Sequence, residues 1–172
     1  MKKLLSSNEE IFNFFTGKWK IERKIGGCNK DENISEMQGL VTFSKQSDHH
    51  TLYQEEVQIS FTTGLTTIGM QTYLFELSES HISQYRFDPG NNTQGKNPFS
   101  SEHPGTVKMY DLEFVPSAEI ILATGSHVCL SDQYDVTYAI YSQDMYSTTY
   151  NIEGPDKYSN IYTKYTRIHE IS

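Results

Sequence analysis

Two opposite charges set among apolar neighbours are the first residues of this sequence that call for a chemical explanation. Residues 18 to 25 alternate, with Trp19, Ile21, Arg23 and Ile25 on one side and Lys18, Lys20, Glu22 and Lys24 on the other, the period of a half-buried strand. Read the same way, residues 51 to 61 place Glu55 with Tyr53, Val57, Ile59 and Phe61. A charge buried alone is costly or is driven toward neutrality. The phase therefore predicts that Arg23 and Glu55 lie inside the fold and pair with each other or with a bound ligand, unless one or both meet water at a rim.

The densest run of reactive side chains is His127-Val128-Cys129-Leu130-Ser131-Asp132-Gln133-Tyr134. His127 and Cys129 share a strand face, and Asp132 and Tyr134 follow after an irregularity. Imidazole titrates near neutral pH, so beside a carboxylate and a phenol it could shuttle a proton or orient a ligand carbonyl. The same residues could instead be structural, with Asp132 in an Asx-type turn and His127 bonded to a backbone carbonyl. Tyrosines at 134, 138, 146, 150, 158, 162 and 165 alternate through the C-terminal part of the chain. Such a stripe is either core packing or the lining of a pocket whose rings and phenol tips suit a planar, partly polar ligand; the pocket is the expectation adopted.

Other chemistries lack their residues. The six histidines (49, 50, 81, 103, 127 and 169) are scattered with no H-x-x-x-H and no clustered cysteines, so no metal site is indicated. A hydrolase elbow of the G-x-S-x-G type is absent. Gly64-Leu65-Thr66-Thr67-Ile68-Gly69 lacks the lysine and the glycine spacing of a P-loop.

The elements that must position these side chains are mostly strands. Ser7-Asn8-Glu9-Glu10 has capping-box spacing ahead of Ile11, Phe12, Phe14 and Phe15, which predicts a short helix over 6–16 ended by Gly17. After the strand at 18 to 25, further strands are expected at 37–44, 51–61, 68–77, 80–87, 106–115, 118–124, 133–142, 145–153 and 158–169. Gly26-Gly27, Thr63-Gly64, Asp88-Pro89-Gly90, Val115-Pro116-Ser117 and Gly154-Pro155-Asp156 supply the reversals. The stretch 88–105, rich in Gly, Asn, Ser and Pro, reads as a long loop at one rim, either a cover for a pocket mouth or a tolerated insertion. With no internal repeat, residues 1–172 are expected to form one domain.

Composition narrows the setting. Twelve Tyr and nine Phe in 172 residues favour a pleated sheet. A formal charge of -8 opposes a phosphate backbone, so nucleic acid is not an expected partner. Cys28 and Cys129 have no C-x-x-C spacing and read as free thiols. The polar run after Leu5 leaves no signal-peptide core, and no stretch is apolar enough for a membrane span. A cytoplasmic protein is expected, export by an unrecognised signal remaining an alternative.

Many short strands leave a sandwich or a barrel, and pairing of the first strand with the last decides for the barrel. Gly17-Lys18-Trp19 resembles the G-x-W signature of lipocalins and related calycins, barrels in which a late-strand Arg stacks over the Trp; Arg167 matches that Arg. A wider set is similar to a small family of unknown function, the "DUF six-three-one-four" type. It comprises Trp19 with Arg23, Gly39, Phe43, Tyr53-Gln54-Glu55, Tyr73, the His127 to Tyr134 run, Gly154-Pro155-Asp156-Lys157-Tyr158 and Tyr165-Thr166-Arg167. Gln71, Phe75 and Tyr150 depart from that pattern, where an Arg and two Trp are expected.

The resemblance spans nearly the whole chain and implies an all-β, closed antiparallel up-and-down barrel with a short N-terminal helix. The function expected is binding of a small hydrophobic or aromatic molecule with a polar group, held by Arg23, Glu55, Tyr73, His127, Asp132, Tyr134 and Tyr150. An isomerase, cyclase or lyase using His127, Asp132 and Tyr134 is the alternative, and a protein-interaction module, including a homodimer through an outer barrel face, is another. The cofactor is left unknown; one calycin branch holds haem through an axial His, and His127, His81 or His103 could serve, with no spacing to select one.

Overall fold

The computed structural model describes residues 5–27, 34–87, 105–117 and 119–171. Helix α1 (Asn8–Phe15) precedes eleven strands: β1 (Gly17–Gly27), β2 (Ile34–Lys45), β3 (His50–Phe61), β4 (Thr66–Leu77), β5 (Ile82–Phe87), β6 (Thr106–Leu112), β7 (Val115–Pro116), β8 (Ile121–Cys129), β9 (Asp132–Ser142), β10 (Met145–Gly154) and β11 (Lys157–Ile168). All the ladders are antiparallel, in the order β6-β5-β4-β3-β2-β1-β11-β10-β9-β8-β7. First and last long strands pair, Trp19 opposite Arg167 and Ile21 opposite Tyr165. One face of the curled sheet is apolar and buried, and the other carries the exposed partners of the alternation seen in β1 and β3.

Closure is not complete, which corrects the expectation of a fully closed barrel. The outer strands are β6 and β7, and no backbone ladder joins β6 to β7 or β8 among the described residues. A ring stands at the seam instead: a Cβ on Gly125 of β8 would fall 2.9 Å from Cδ1 of Tyr110 on β6. The segment expected to turn at Val115-Pro116-Ser117 is the two-residue strand β7, and its Pro116, lacking an N–H, suits an edge. The loop expected at 88–105 lies, up to residue 104, outside the described residues, as does Cys28; Cys129 is a free thiol, half buried.

Helix α1 plugs one end. Ser7 caps it by accepting from the Glu10 N–H at 3.1 Å, while the Glu10 carboxylate turns back to the Ser6 N–H and hydroxyl. Ile11, Phe12, Phe14 and Phe15 are all buried, Phe15 stacking on Phe43 of β2 at 5.5 Å. The chain leaves the helix through Gly17 at φ 120°, a conformation that a residue with a Cβ rarely adopts. Trp19, fully buried, donates its indole N–H to the Phe15 carbonyl at 2.9 Å. The Arg167 guanidinium lies 4.1 Å over the indole and donates to the carbonyls of Phe14 (2.6 Å) and Thr16 (3.1 Å). One side chain thus ties the last strand to the first and satisfies the open carbonyls at the helix end.

Candidate functional site

A cavity of about 280 Å³ occupies the hollow of the sheet away from the helical plug, near the lower end of the range of small-molecule sites, about 300–1,000 Å³. Inward-facing positions of the long strands line it because side chains alternate across a strand. Arg23 comes from β1, Glu55 and Tyr53 from β3, Tyr73 from β4, Gln84 from β5 and Tyr110 from β6. Tyr134 and Tyr138 of β9, Tyr150 of β10 and Tyr165 of β11 complete most of its aromatic wall.

The two charges that strand phase placed inside do pair. Arg23 Nη1 and Nη2 each donate to one Glu55 oxygen at 2.7 Å, and Nε donates to Thr163 Oγ1 at 2.8 Å. This bidentate fork holds both planar groups in one orientation. The Tyr53 hydroxyl also donates to Glu55 and lies 3.3 Å from the Tyr165 hydroxyl. Burial works against the Arg23 charge, but hydrogen bonding to Glu55 and the Glu55 charge outweigh it and raise the guanidinium above its ordinary range.

The phenols are held protonated. Burial is the first cause for Tyr53, Tyr73, Tyr110, Tyr138 and Tyr165, each raised above the ordinary tyrosine value. Tyr150 is pushed up to about 12, by burial first and then by Tyr165, with Gln84, Tyr138 and Arg23 pulling the other way. Tyr138 donates to Gln84 Oε1 at 3.0 Å. Tyr110, only 1 % exposed, has a hydroxyl with no hydrogen-bond partner among the described residues.

Of the seven residues expected to contact a ligand, five line this cavity: Arg23, Glu55, Tyr73, Tyr134 and Tyr150. His127 and Asp132 do not. Strand β8 runs on to Cys129 and reverses at Leu130-Ser131 into β9, which opposes His127 to Tyr134 and Cys129 to Asp132. Asp132 ion-pairs with Lys157 at 2.6 Å and packs where a Cβ on Gly154 would be only 2.1 Å from its Oδ1. His127 stands ring to ring with Tyr110 (6.2 Å) and Tyr134 (6.4 Å). Lys157 Nζ also reaches the Tyr134 hydroxyl at 3.5 Å, so Asp132 and Tyr134 meet at one lysine with His127 beside them, but of the three acid and base groups of the enzyme alternative only Tyr134 lines the cavity. The reversal between β8 and β9 places Leu130 at φ 58°, a conformation that a residue of its type rarely adopts.

The histidines offered for haem fare no better as a set. His81 faces Asp111 at 3.3 Å on the strand rim, His127 is off the cavity wall, and His103 is outside the described residues. Among the described residues no group of three or more His, Cys, Asp or Glu side chains is suited to a metal ion, and no helix is long and apolar enough to cross a membrane. Sequence reading missed Gln84 and Tyr110. A register shift between Gln84 and Tyr85 interrupts the alternation of β5 against β6, so strand phase carried no usable signal there.

A curled antiparallel sheet around an aromatic cavity, with a helix plug and an Arg stacked on the first-strand Trp, defines a lipocalin-like, calycin-type barrel. The chain belongs to a family of unknown function, DUF6314, whose model matches residues 15–167. The fold is similar to that of the S-type phycobiliprotein lyase of Guillardia theta, with a TM-score of 0.59, 8% identity, and coverage of 96% of this chain and 95% of that one. A de novo designed fluorescence-activating β-barrel is a more distant likeness, at a TM-score of 0.37 and 9% identity over 91% of this chain and 95% of the other. No curated protein matches the chain.

Proposed function

We propose that this chain binds a small hydrophobic or aromatic molecule bearing a polar group, inside the barrel. The observation that carries the reading is the composition of one cavity wall: tyrosine rings and a hydrogen-bonded Arg23–Glu55 pair line a cavity of about 280 Å³. A barrel needing only a packed core would fill that space, because voids larger than a water molecule are few in protein interiors and cost stability. Buried polar groups on the wall orient what enters, and the rings supply contact area at little entropic cost. Arg23, Glu55, Tyr73, Tyr134 and Tyr150 are the contact residues in this reading. The likeness to a phycobiliprotein lyase supports the architecture alone, so no ligand is carried over from it.

Native mass spectrometry of the full chain purified from its own host tests the proposal. A bound organic molecule that is released on denaturation is the expected result. A single mass equal to the polypeptide alone, from gently handled protein, would overturn it.

A further inference from the structure

We infer that the cavity selects an uncharged, planar aromatic carbonyl compound, whose carbonyl oxygen accepts a hydrogen bond from the Tyr110 hydroxyl, and that it rejects the corresponding carboxylate. The inference rests on the small-molecule reading above and names the ligand class.

Charge neutrality comes first. Among the described residues, Arg23 and Glu55 are the only charged ones on the cavity wall, and they are spent on each other through two hydrogen bonds of 2.7 Å. Arg23 Nε is committed to Thr163, and Glu55 also takes the Tyr53 hydroxyl. An incoming carboxylate would have to capture Arg23 and strand the Glu55 charge in a buried site, or lie among rings without a counter-ion. Both arrangements leave an uncompensated charge out of water. A cationic ligand meets the mirror-image difficulty, since it would have to take Glu55 from Arg23.

Hydrogen-bond supply comes second. Tyr53 and Tyr138 already donate, to Glu55 and to Gln84. Tyr110 is as buried as they are, lines the same cavity and has no acceptor among the described residues. A buried donor without an acceptor is uncommon and unfavourable. A carbonyl oxygen satisfies it without bringing a donor of its own that would need a further partner. Burial keeps this phenol protonated, so it remains a donor at neutral pH. The position is also built: Gly125 leaves room for the Tyr110 ring at the β6–β8 seam, where a Cβ would meet it at 2.9 Å, and Tyr150 packs 6.2 Å from it on the other side.

Fluorescence titration of the full chain with a matched pair of probes tests this: the ketone Prodan, 6-propionyl-2-(dimethylamino)naphthalene, and the anion 6-(dimethylamino)-2-naphthoate. The ketone should bind at least about tenfold more tightly than the naphthoate. Tyr110→Phe should weaken the ketone by about three- to tenfold, the worth of one hydrogen bond, while leaving the free protein as stable as before or more so. Glu55→Gln, by freeing Arg23, should raise naphthoate affinity by about tenfold or more; should that variant fail to fold, the Tyr110→Phe comparison still decides. Equal binding of the two probes, or an unchanged ketone affinity in Tyr110→Phe, overturns the ligand class and leaves the small-molecule reading standing. If neither probe binds to the folded wild-type chain, the ligand class falls, and the small-molecule reading stands or falls by the mass-spectrometric test.

Discussion

At the scale of single residues, the Arg23–Glu55 pair shows why a buried charge is informative. Its members come from β1 and β3, 32 positions apart, and Glu55 is 7 % exposed. Removing either partner leaves the other charge in the barrel, so Arg23→Met and Glu55→Leu should each destabilise the fold by about 3 kcal/mol. The double variant should cost less than either single change, because nothing charged is then stranded. Urea unfolding of all four proteins measures the coupling, and strictly additive losses would mean that water, not the partner, stabilises each charge. Both residues were legible in the sequence because each interrupts a clean apolar alternation. Tyr110 was not, because it lies in a strand whose register against β5 shifts, and because an unsatisfied hydroxyl is a property of its surroundings that residue type cannot encode.

At the scale of elements, the helix plug and the strand ends were readable for a related reason. The Ser7 cap, the four buried apolar residues of α1 and the Gly17 exit are local signals, each visible within a few positions. The β8–β9 hairpin was misread because its Leu130-Ser131 reversal lacks Gly, Asn or Asp at the position that needs φ > 0, and the expected strand therefore stopped at 124 instead of continuing to Cys129. Between α1, β1 and β11 the connecting piece is Arg167. It stacks on Trp19 and donates to Phe14, Thr16 and the Gln143 carbonyl, a fork of contacts that an ammonium group cannot reproduce. Arg167→Lys should therefore lose most of what Arg167→Ala loses, about 2 kcal/mol from stacking and charge-assisted hydrogen bonds together. Thermal unfolding of the two variants checks it; a lysine variant as stable as wild type would show that charge alone, and not the planar fork, joins the plug to the barrel.

At the scale of the whole molecule, the aromatic lining ties the stability of the barrel to alkaline pH. Tyr53, Tyr73, Tyr110, Tyr138, Tyr146, Tyr150 and Tyr165 all titrate above the ordinary value of 10.0 in the folded chain, with burial the first cause in each case. An unfolded chain releases these protons near pH 10 and the folded chain holds them, so above that pH the folded state binds more protons and its stability falls as pH rises. The stabilisation is complete below pH 10 and is lost as pH climbs through the folded values, which for Tyr150 is about 12. Each retained proton contributes a slope of about 1.4 kcal/mol per pH unit. Several acting together exceed a whole domain's stability of about 5–15 kcal/mol within one or two units. The near-ultraviolet phenolate band of this set should accordingly appear in one cooperative step, coincident with loss of the tertiary circular-dichroism signal. A ligand held in the cavity should move that step to higher pH, because it binds only the state in which the phenols are still protonated. Gradual ionisation of these tyrosines near pH 10 in a chain that keeps its tertiary signal would mean that water already reaches the lining, and that the hollow is too wet to favour an uncharged aromatic guest.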